Sequence, residues 1–311
     1  MATPTVSVCC ITYNHERYLA QALDSVLMQQ TDFAVEVVIG EDCSPDGTRR
    51  IALDYEQRFP GRIRVLQHAT NQGIMRNLMA TMAACTGQYI AFLEGDDYWT
   101  DPQKLQRQVQ VMETDTACSL CIHDAEVFTE DGSAPSYLFS SKFGHILPAG
   151  AEATFSQTDL ARLGWFMPSA AMLFRRAALP QPLPAWFAGV FSGDFTLQLL
   201  ATQRGHVRYL PRVMSRYRLH AGGVMQTSHN TLAQNEKRIH EHECYKRELP
   251  AALHPHFNPY LEHLYFERSE KLGAAGNRRL QLYYYWKAVS ITPARLRFHL
   301  KRLLGRATPK V

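Results

Sequence analysis

The sequence lacks any apolar run near the about 18 residues that a membrane-spanning helix needs. Its amino-terminal stretch meets Tyr13-Asn14-His15-Glu16-Arg17 before a long apolar segment forms, so neither a signal peptide nor an anchor is expected there. Cysteine is scarce and odd in number. Cys9, Cys10, Cys43, Cys85, Cys118, Cys121 and Cys244 lie mostly inside apolar runs, the pattern of reduced thiols acting as small hydrophobes, and the expected compartment is cytoplasmic. A chain of 311 residues can bury a core without disulfides. Internal repeats and low-complexity tracts are absent, and the formal net charge of +4 is too small to point to nucleic acid. The charge is uneven, however. Ser290 to Val311 carries Arg295, Arg297, Lys301, Arg302, Arg306 and Lys310 with no acidic residue, interleaved with Leu296, Phe298, Leu300, Leu303 and Leu304. This tail suits either peripheral contact with the anionic inner face of the cytoplasmic membrane, at about 1 kcal/mol per basic residue, or a solvated helix docked by its leucines.

What is present is an alternation of short β-rich runs and helical patterns over the first 125 residues, the signature of a parallel sheet with crossover helices. Strands are expected at Val6 to Thr12, Val35 to Gly40, Ile63 to His68 and Tyr89 to Leu93, all apolar enough to be covered on both faces. Leu19, Ala22, Leu23, Val26 and Leu27 recur at helical spacing, which predicts a helix over Glu16 to Gln29 with Asn14 as its cap. Asp101-Pro102 should start another, with Leu105, Val109 and Met112 on one face. Ala117 to His123 reads as a strand, Asp131 to Thr154 as a long loop or hairpin, Ser169 to Phe174 as a strand, Asp194 to Thr202 as a helix and His206 to Tyr217 as one or two strands. Beyond His229 the pattern is helical. The expected organisation is a domain over 1–228, with a nucleotide-binding half at 1–125 and an acceptor half at 126–228, followed by a helical extension at 229–311.

Ligands of an open α/β sheet sit beyond the carboxyl ends of its strands. Here those ends are polar: Thr12-Tyr13-Asn14, Glu41-Asp42-Cys43-Ser44, Asn71-Gln72-Gly73 and Glu94-Gly95-Asp96-Asp97. Carboxylates at neighbouring strand ends repel unless a cation or hydrogen-bond donors lie between them, and a divalent metal with a nucleotide would supply both. The hard oxygens of the Glu94 cluster suit Mg²⁺ or Mn²⁺. Asp97 also suits a cap for the next helix.

The combination resembles the family 2 glycosyltransferases of the GT-A fold, particularly bacterial polysaccharide-type members whose metal motif reads like Glu94-Gly95-Asp96-Asp97-Tyr98-Trp99. The match runs in order through Val6-Ser7-Val8, Thr12-Tyr13-Asn14, Leu23-Asp24-Ser25-Val26, Glu41-Asp42-Cys43-Ser44, Asp46-Gly47-Thr48, Asn71-Gln72-Gly73, Phe92 to Trp99 and Gly193-Asp194, covering roughly residues 5 to 225. It implies a Rossmann-like, mostly parallel sheet flanked by helices and an inverting, metal-dependent transfer from a nucleotide-sugar donor to a carbohydrate or lipid-linked acceptor. By that resemblance, Thr12 and Tyr13 would border the base and ribose, Asp42 would accept from a uridine or thymidine imide, and Asn14, Glu41, Asn71, Gly73, Arg76, Glu94 and Gly95 would line the donor. Asp96 would hold Mn²⁺ or Mg²⁺, and Asp194, which by itself reads as an ordinary helix cap, would be the catalytic base. Glu41 and Glu94 stand where aspartate is commoner, one methylene longer with the charge kept.

His220 in Tyr217-Arg218-Leu219-His220-Ala221-Gly222-Gly223 matches a position seen in related enzymes and is expected at the metal or leaving phosphate, a structural role being the alternative. Arg216 and Arg218 suit either the diphosphate or the sheet surface. Trp165 to Ser169 suits an acceptor-side wall or core packing. Cys118-x-x-Cys121 with His123 is not read as zinc, because it falls within a strand without a fourth ligand; His123 and Asp124 are expected at a strand end near the crevice. Two other functional classes share some of these features. A metal-dependent nucleotidyltransferase would carry a Gly-rich, basic triphosphate loop that Thr12 to Arg17 lacks, and a non-catalytic nucleotide-sugar module would tolerate loss of Asp194. Whether the helical extension meets membrane, a partner enzyme or a second copy of the chain to form an oligomer stays open.

Overall fold

A computed structural model describes residues 5–223 and 231–292, so the basic run from Arg295 to Lys310 lies outside the described residues. The chain divides into two compact units, Met1–Ala188 with Gly193–Ser228, and Gly189–Ser192 with His229–Val311. Among the described residues no helix is long and apolar enough to cross a membrane.

The first unit is a mostly parallel sheet flanked by helices. Its strands are β1 (Val6–Thr12), β2 (Val35–Glu41), β3 (Ile63–Gln67), β4 (Tyr89–Glu94), β5 (Tyr98–Trp99), β6 (Cys118–Thr129), β7 (Tyr137–Leu138), β8 (Ala153–Phe155), β9 (Leu173–Arg175) and β10 (His206–Leu219). Its helices are α1 (Leu19–Leu27), α2 (Thr48–Arg58), α3 (Ile74–Ala84), α4 (Lys104–Thr114), α5 (Phe139–Lys142), α6 (Gln157–Leu163) and α7 (Gly193–Ala201). The sheet order is β3-β2-β1-β4-β9-β6-β10-β5, with β7 on β6 and β8 on β10. β1 is buried along its whole length and pairs in parallel with β2 and β4, so Thr12, Glu41 and Glu94 end side by side. β9 is antiparallel to both neighbours, and β10 runs parallel to β6, which brings Leu219 and then His220 to the same edge as the ends of β1 and β4.

Some expectations are corrected. α1 is shorter than Glu16 to Gln29: Asn14 takes a left-handed conformation and its N–H donates to Ser44 Oγ, so it turns the chain rather than capping the helix. α4 begins at Lys104, while Asp101 Oδ1 accepts the N–H of Gln103 ahead of it. Ser169 to Ala171 form a 3₁₀ turn and not a strand, because buried side chains take their carbonyls: Trp99 Nε1 donates to Ala170 O and Gln108 Nε2 to Ala171 O, both through groups distant in sequence. His123 and Asp124 sit in the middle of β6, which continues to Thr129 because it pairs with β10 over that length. Asp124 anchors the start of α5 by accepting from Ser140 N–H and Oγ. β10 is a single strand whose register shifts around Pro211, which has no N–H for the ladder.

The second unit is helical: α8 (Leu232–Glu248), α9 (His254–Ala274) and α10 (Arg278–Ile291). Ile239, Leu261, Leu264, Phe266, Tyr285 and Val289 form its core. Glu241 Oε2 accepts the N–H groups of Phe191 and Ser192, which ties that short segment to α8.

One core residue of the sheet unit is an amine. Lys104 is fully buried, its Nζ lies 3.9 Å from the centre of the Trp99 ring, and it has no hydrogen-bond partner among the described residues. Burial pushes the amine down from 10.5 to about 7. Lys104→Met is expected to raise stability by about 1–3 kcal/mol, an unpaired buried polar group being removed at similar volume. The sign with pH follows from proton binding. Between pH 7, near the folded value for Lys104, and pH 9, where unfolded cysteines start to ionise, the unfolded chain holds a proton on Lys104 that the folded chain has released, so Lys104 itself contributes a rise of stability with pH. The urea midpoint of Lys104→Met minus that of the wild type should therefore fall across that window.

Candidate functional site

The loops after β1, β2 and β4 and the end of β10 meet in one crevice. The first wall is the turn after β2. Asp42 is buried, and its two oxygens accept the N–H groups of Gln72 at 2.7 Å and Gly73 at 2.9 Å, shaping the loop that carries Asn71 and leads into α3, where Arg76 sits. Gly73 has φ +80°, a conformation that glycine adopts without strain. Glu41 is completely buried. Its carboxylate accepts from Ser44 N–H and pairs with Arg49 Nε at 2.5 Å, so it supports this loop from behind. Tyr13, Asn14, Asn71, Gly73 and Arg76 lie at the exposed rim.

The centre is the acidic turn after β4. Asp96 Oδ2 lies 3.0 Å from His220 Nε2 and 3.6 Å from His15 Nε2, while Asp96 Oδ1 is buried with no partner among the described residues. Asp97 Oδ1 accepts the N–H of Arg218, and Glu94 Oε2 accepts from Ser169 Oγ at 3.0 Å. The turn needs glycine at its middle: a Cβ on Gly95 would come within 2.5 Å of Thr12 Oγ1 and 2.9 Å of His15 Nδ1.

On the opposite side, Asp194 opens α7. Its Oδ2 accepts from Trp165 Nε1 at 2.5 Å and its Oδ1 from the Phe195 N–H. Trp165 in turn packs edge-on against Phe139 and Phe143. The crowding of carboxylates shows in their acidity. Burial first, then the charges of Asp96 and Asp194, push Glu94 up to about 8. Burial first, then the charges of Asp96 and Glu94, push Asp97 well above the usual carboxylate range. Burial also raises Asp96, but the His220 hydrogen bond and the two imidazoles outweigh it and leave it below its usual value. Glu94 therefore feels both Asp96 and Asp194, residues a hundred positions apart in the chain.

Arg218 holds the acidic turn in place. Its Nε donates to Asp96 O at 2.8 Å, its Nη2 to Gln21 Oε1, and its guanidinium lies 4.6 Å from the Tyr18 ring and 4.9 Å from Phe128. Arg216 is paired through two nitrogens with Glu126 and donates to the Tyr98 hydroxyl. Lysine cannot reproduce a planar group that both stacks and donates in two directions. Arg218→Lys is expected to lower turnover by about 10- to 100-fold by displacing Asp96, with folding retained on a thermal melt.

Three residues in the crevice were not singled out by sequence reasoning. His15 stands next to Thr12-Tyr13-Asn14 and could have been read from the strand-end rule alone. Tyr18 meets His220 edge-on, with 4.8 Å between ring centres, and donates to Glu130. Tyr217 has its phenol pushed up by burial and by Glu94, Asp97, Asp96 and Asp194 together. Neither tyrosine carries a sequence signal beyond ordinary helix or strand periodicity.

The mostly parallel sheet with an acidic turn at its centre has the GT-A fold. The family model described as Glycosyl transferase family 2 matches residues 7–179, more than half of the chain, and the chain belongs to that family. Uncharacterized protein Rv1520 of Mycobacterium tuberculosis is 34% identical over 226 residues, which cover 72% of this chain and 61% of that protein, so the chain spans less than two thirds of this relative. S. aureus TarS 1–349, solved in complex with UDP-GlcNAc, has the same fold at a TM-score of 0.55 and 16% identity, over 97% of this chain and 92% of TarS. Mannosyltransferase PcManGT from Pyrobaculum calidifontis, solved with GDP-Man and Mn²⁺, gives a TM-score of 0.59 at 14% identity, over 99% of this chain and 82% of that one.

Proposed function

We propose that this protein transfers a glycosyl group from a nucleotide-diphosphate sugar, uridine-linked in the first instance, to a hydroxyl of a carbohydrate or lipid-linked acceptor in surface polysaccharide or glycoconjugate synthesis, with inversion at the anomeric carbon. The observation that carries the proposal is the meeting of Asp194 with the Glu94-Gly95-Asp96 turn, close enough for Asp194 to raise Glu94. The membership in family 2 and the nucleotide-sugar complexes of TarS and PcManGT support it.

In this reading Thr12, Tyr13, Asn14, Asp42, Asn71, Gly73 and Arg76 line the nucleoside, with Glu41 acting through the Asp42 loop. Each Asp42 oxygen accepts one backbone N–H and retains a second lone pair for a uracil imide. Glu94 and Gly95 face the ribose and phosphates. Asp96 and His220 fit a divalent cation, Mn²⁺ or Mg²⁺, because Asp96 offers a buried oxygen without a partner beside an imidazole nitrogen. Such a cation would offset the charge growing on the departing diphosphate.

Asp194 takes the proton of the acceptor hydroxyl. The hydroxyl oxygen forms a bond to the anomeric carbon as the bond from that carbon to the phosphate oxygen breaks, and the electron pair leaves with the nucleoside diphosphate. Trp165 fixes the carboxylate and, with Phe139 and Phe143, forms an aromatic acceptor-side wall. A panel of UDP-, GDP- and dTDP-sugars with Mn²⁺ tests the donor: a UDP-sugar should release its diphosphate fastest. Turnover of nucleoside triphosphates in place of nucleotide sugars would contradict the proposal.

A further inference from the structure

The cation reading above uses Asp96 and His220, yet a third donor stands beside them. His15 is held from several directions: its N–H donates to Thr48 Oγ1 at 2.8 Å, its carbonyl accepts from Tyr18 and Leu19, and its Nδ1 lies 3.3 Å from Thr12 Oγ1. That leaves Nε2 aimed at Asp96 Oδ2, 3.6 Å away, with the His15 and His220 rings edge-on at 6.2 Å between centres. One donor atom from each of His15, Asp96 and His220 lies within 4.8 Å of the others. Ligands about 2.1 Å from a common ion sit about 3 Å apart when adjacent in its coordination sphere, so the two imidazoles and the carboxylate need only small side-chain adjustments to share one ion. The requirement for glycine at position 95 has the same origin, since the His15 loop and the acidic turn approach too closely for a Cβ.

We infer that His15 is a third protein ligand, so that the cation is held by two imidazoles and one carboxylate of this chain. This rests on the metal reading of the preceding section and adds two consequences. A donor set with two nitrogens favours Mn²⁺ and later first-row ions over Mg²⁺, which prefers oxygen. Three protein ligands also retain the ion before a nucleotide arrives, and because His15 follows directly on Thr12-Tyr13-Asn14, ion binding and nucleotide binding are coupled through one loop.

The test is Mn²⁺ binding by the full chain without nucleotide, followed by electron paramagnetic resonance of the free ion, together with electron spin echo modulation to count histidine nitrogens on the bound ion. Wild type should bind Mn²⁺ with two nitrogens, and Mg²⁺ should compete only at tenfold or greater excess. His15→Ala should weaken binding at least tenfold and leave one nitrogen, whereas His145→Ala, at an exposed loop position, should change neither. The wild-type nitrogen count needs no variant and stands even if His15→Ala folds poorly. A single nitrogen in wild type, with binding that still depends on Asp96, would overturn the role of His15 and leave the metal reading intact. Absence of Mn²⁺ binding both with and without UDP would overturn both.

Discussion

Asp194→Asn should lower turnover by about 100- to 10,000-fold, the range expected when a general base is removed, while nucleotide and metal binding stay within about twofold of wild type. The substitution is nearly isosteric. The one amide oxygen can still accept the Trp165 indole N–H, which keeps the aromatic wall, while the bond from the Phe195 N–H is lost at the start of α7. What is lost is the ability to take a proton. Glu94 should become more acidic, because the Asp194 charge that helps hold it at about 8 is gone. Release of nucleoside diphosphate from the donor measures the rate, and a variant within about fivefold of wild type would remove Asp194 from the chemistry.

Asp96→Ala should separate function from stability. Asp96 lies between Glu94 and Asp97, raises both, and leaves one of its own oxygens buried without a partner among the described residues. In the absence of metal and nucleotide this crowding opposes the contacts of Asp96 with His220 and His15, which hold Asp96 below its usual value. Removing the carboxylate loses the imidazole contacts but relieves Glu94 and Asp97, so the melting temperature of the ligand-free protein should change by about 5 °C or less, while turnover falls at least about 1,000-fold with loss of the group proposed to hold the cation. A large fall in ligand-free stability would instead mark Asp96 as a structural residue.

The sheet was legible because its strands carry their own signal. β1 spans Val6–Thr12 as its apolar, β-branched composition predicts, and β2, β3 and β4 differ from expectation by one residue at their ends. The polar residues just past those strands could be picked out by the rule that ligands sit there. Asp194 could not. In sequence it is an ordinary helix start, and only the resemblance pointed to it. The 3₁₀ turn at Ser169–Ala171 was illegible for a physical reason: its carbonyls are satisfied by Trp99 and Gln108, side chains from other elements, and local pattern carries no trace of that. β6 likewise runs past His123 because its pairing with β10 sustains it, and His220 and His15 come together only through the sheet order.

The central claim is that the acidic turn at Glu94-Gly95-Asp96 binds a nucleoside diphosphate through a divalent cation. Its most direct test is the thermal stability of wild type and Asp96→Ala against UDP, GDP and dTDP, each with and without Mn²⁺. UDP should raise the wild-type melting temperature only when Mn²⁺ is present, and Asp96→Ala should show no such rise. Equal stabilisation with and without the ion, or stabilisation that survives in Asp96→Ala, would contradict the claim.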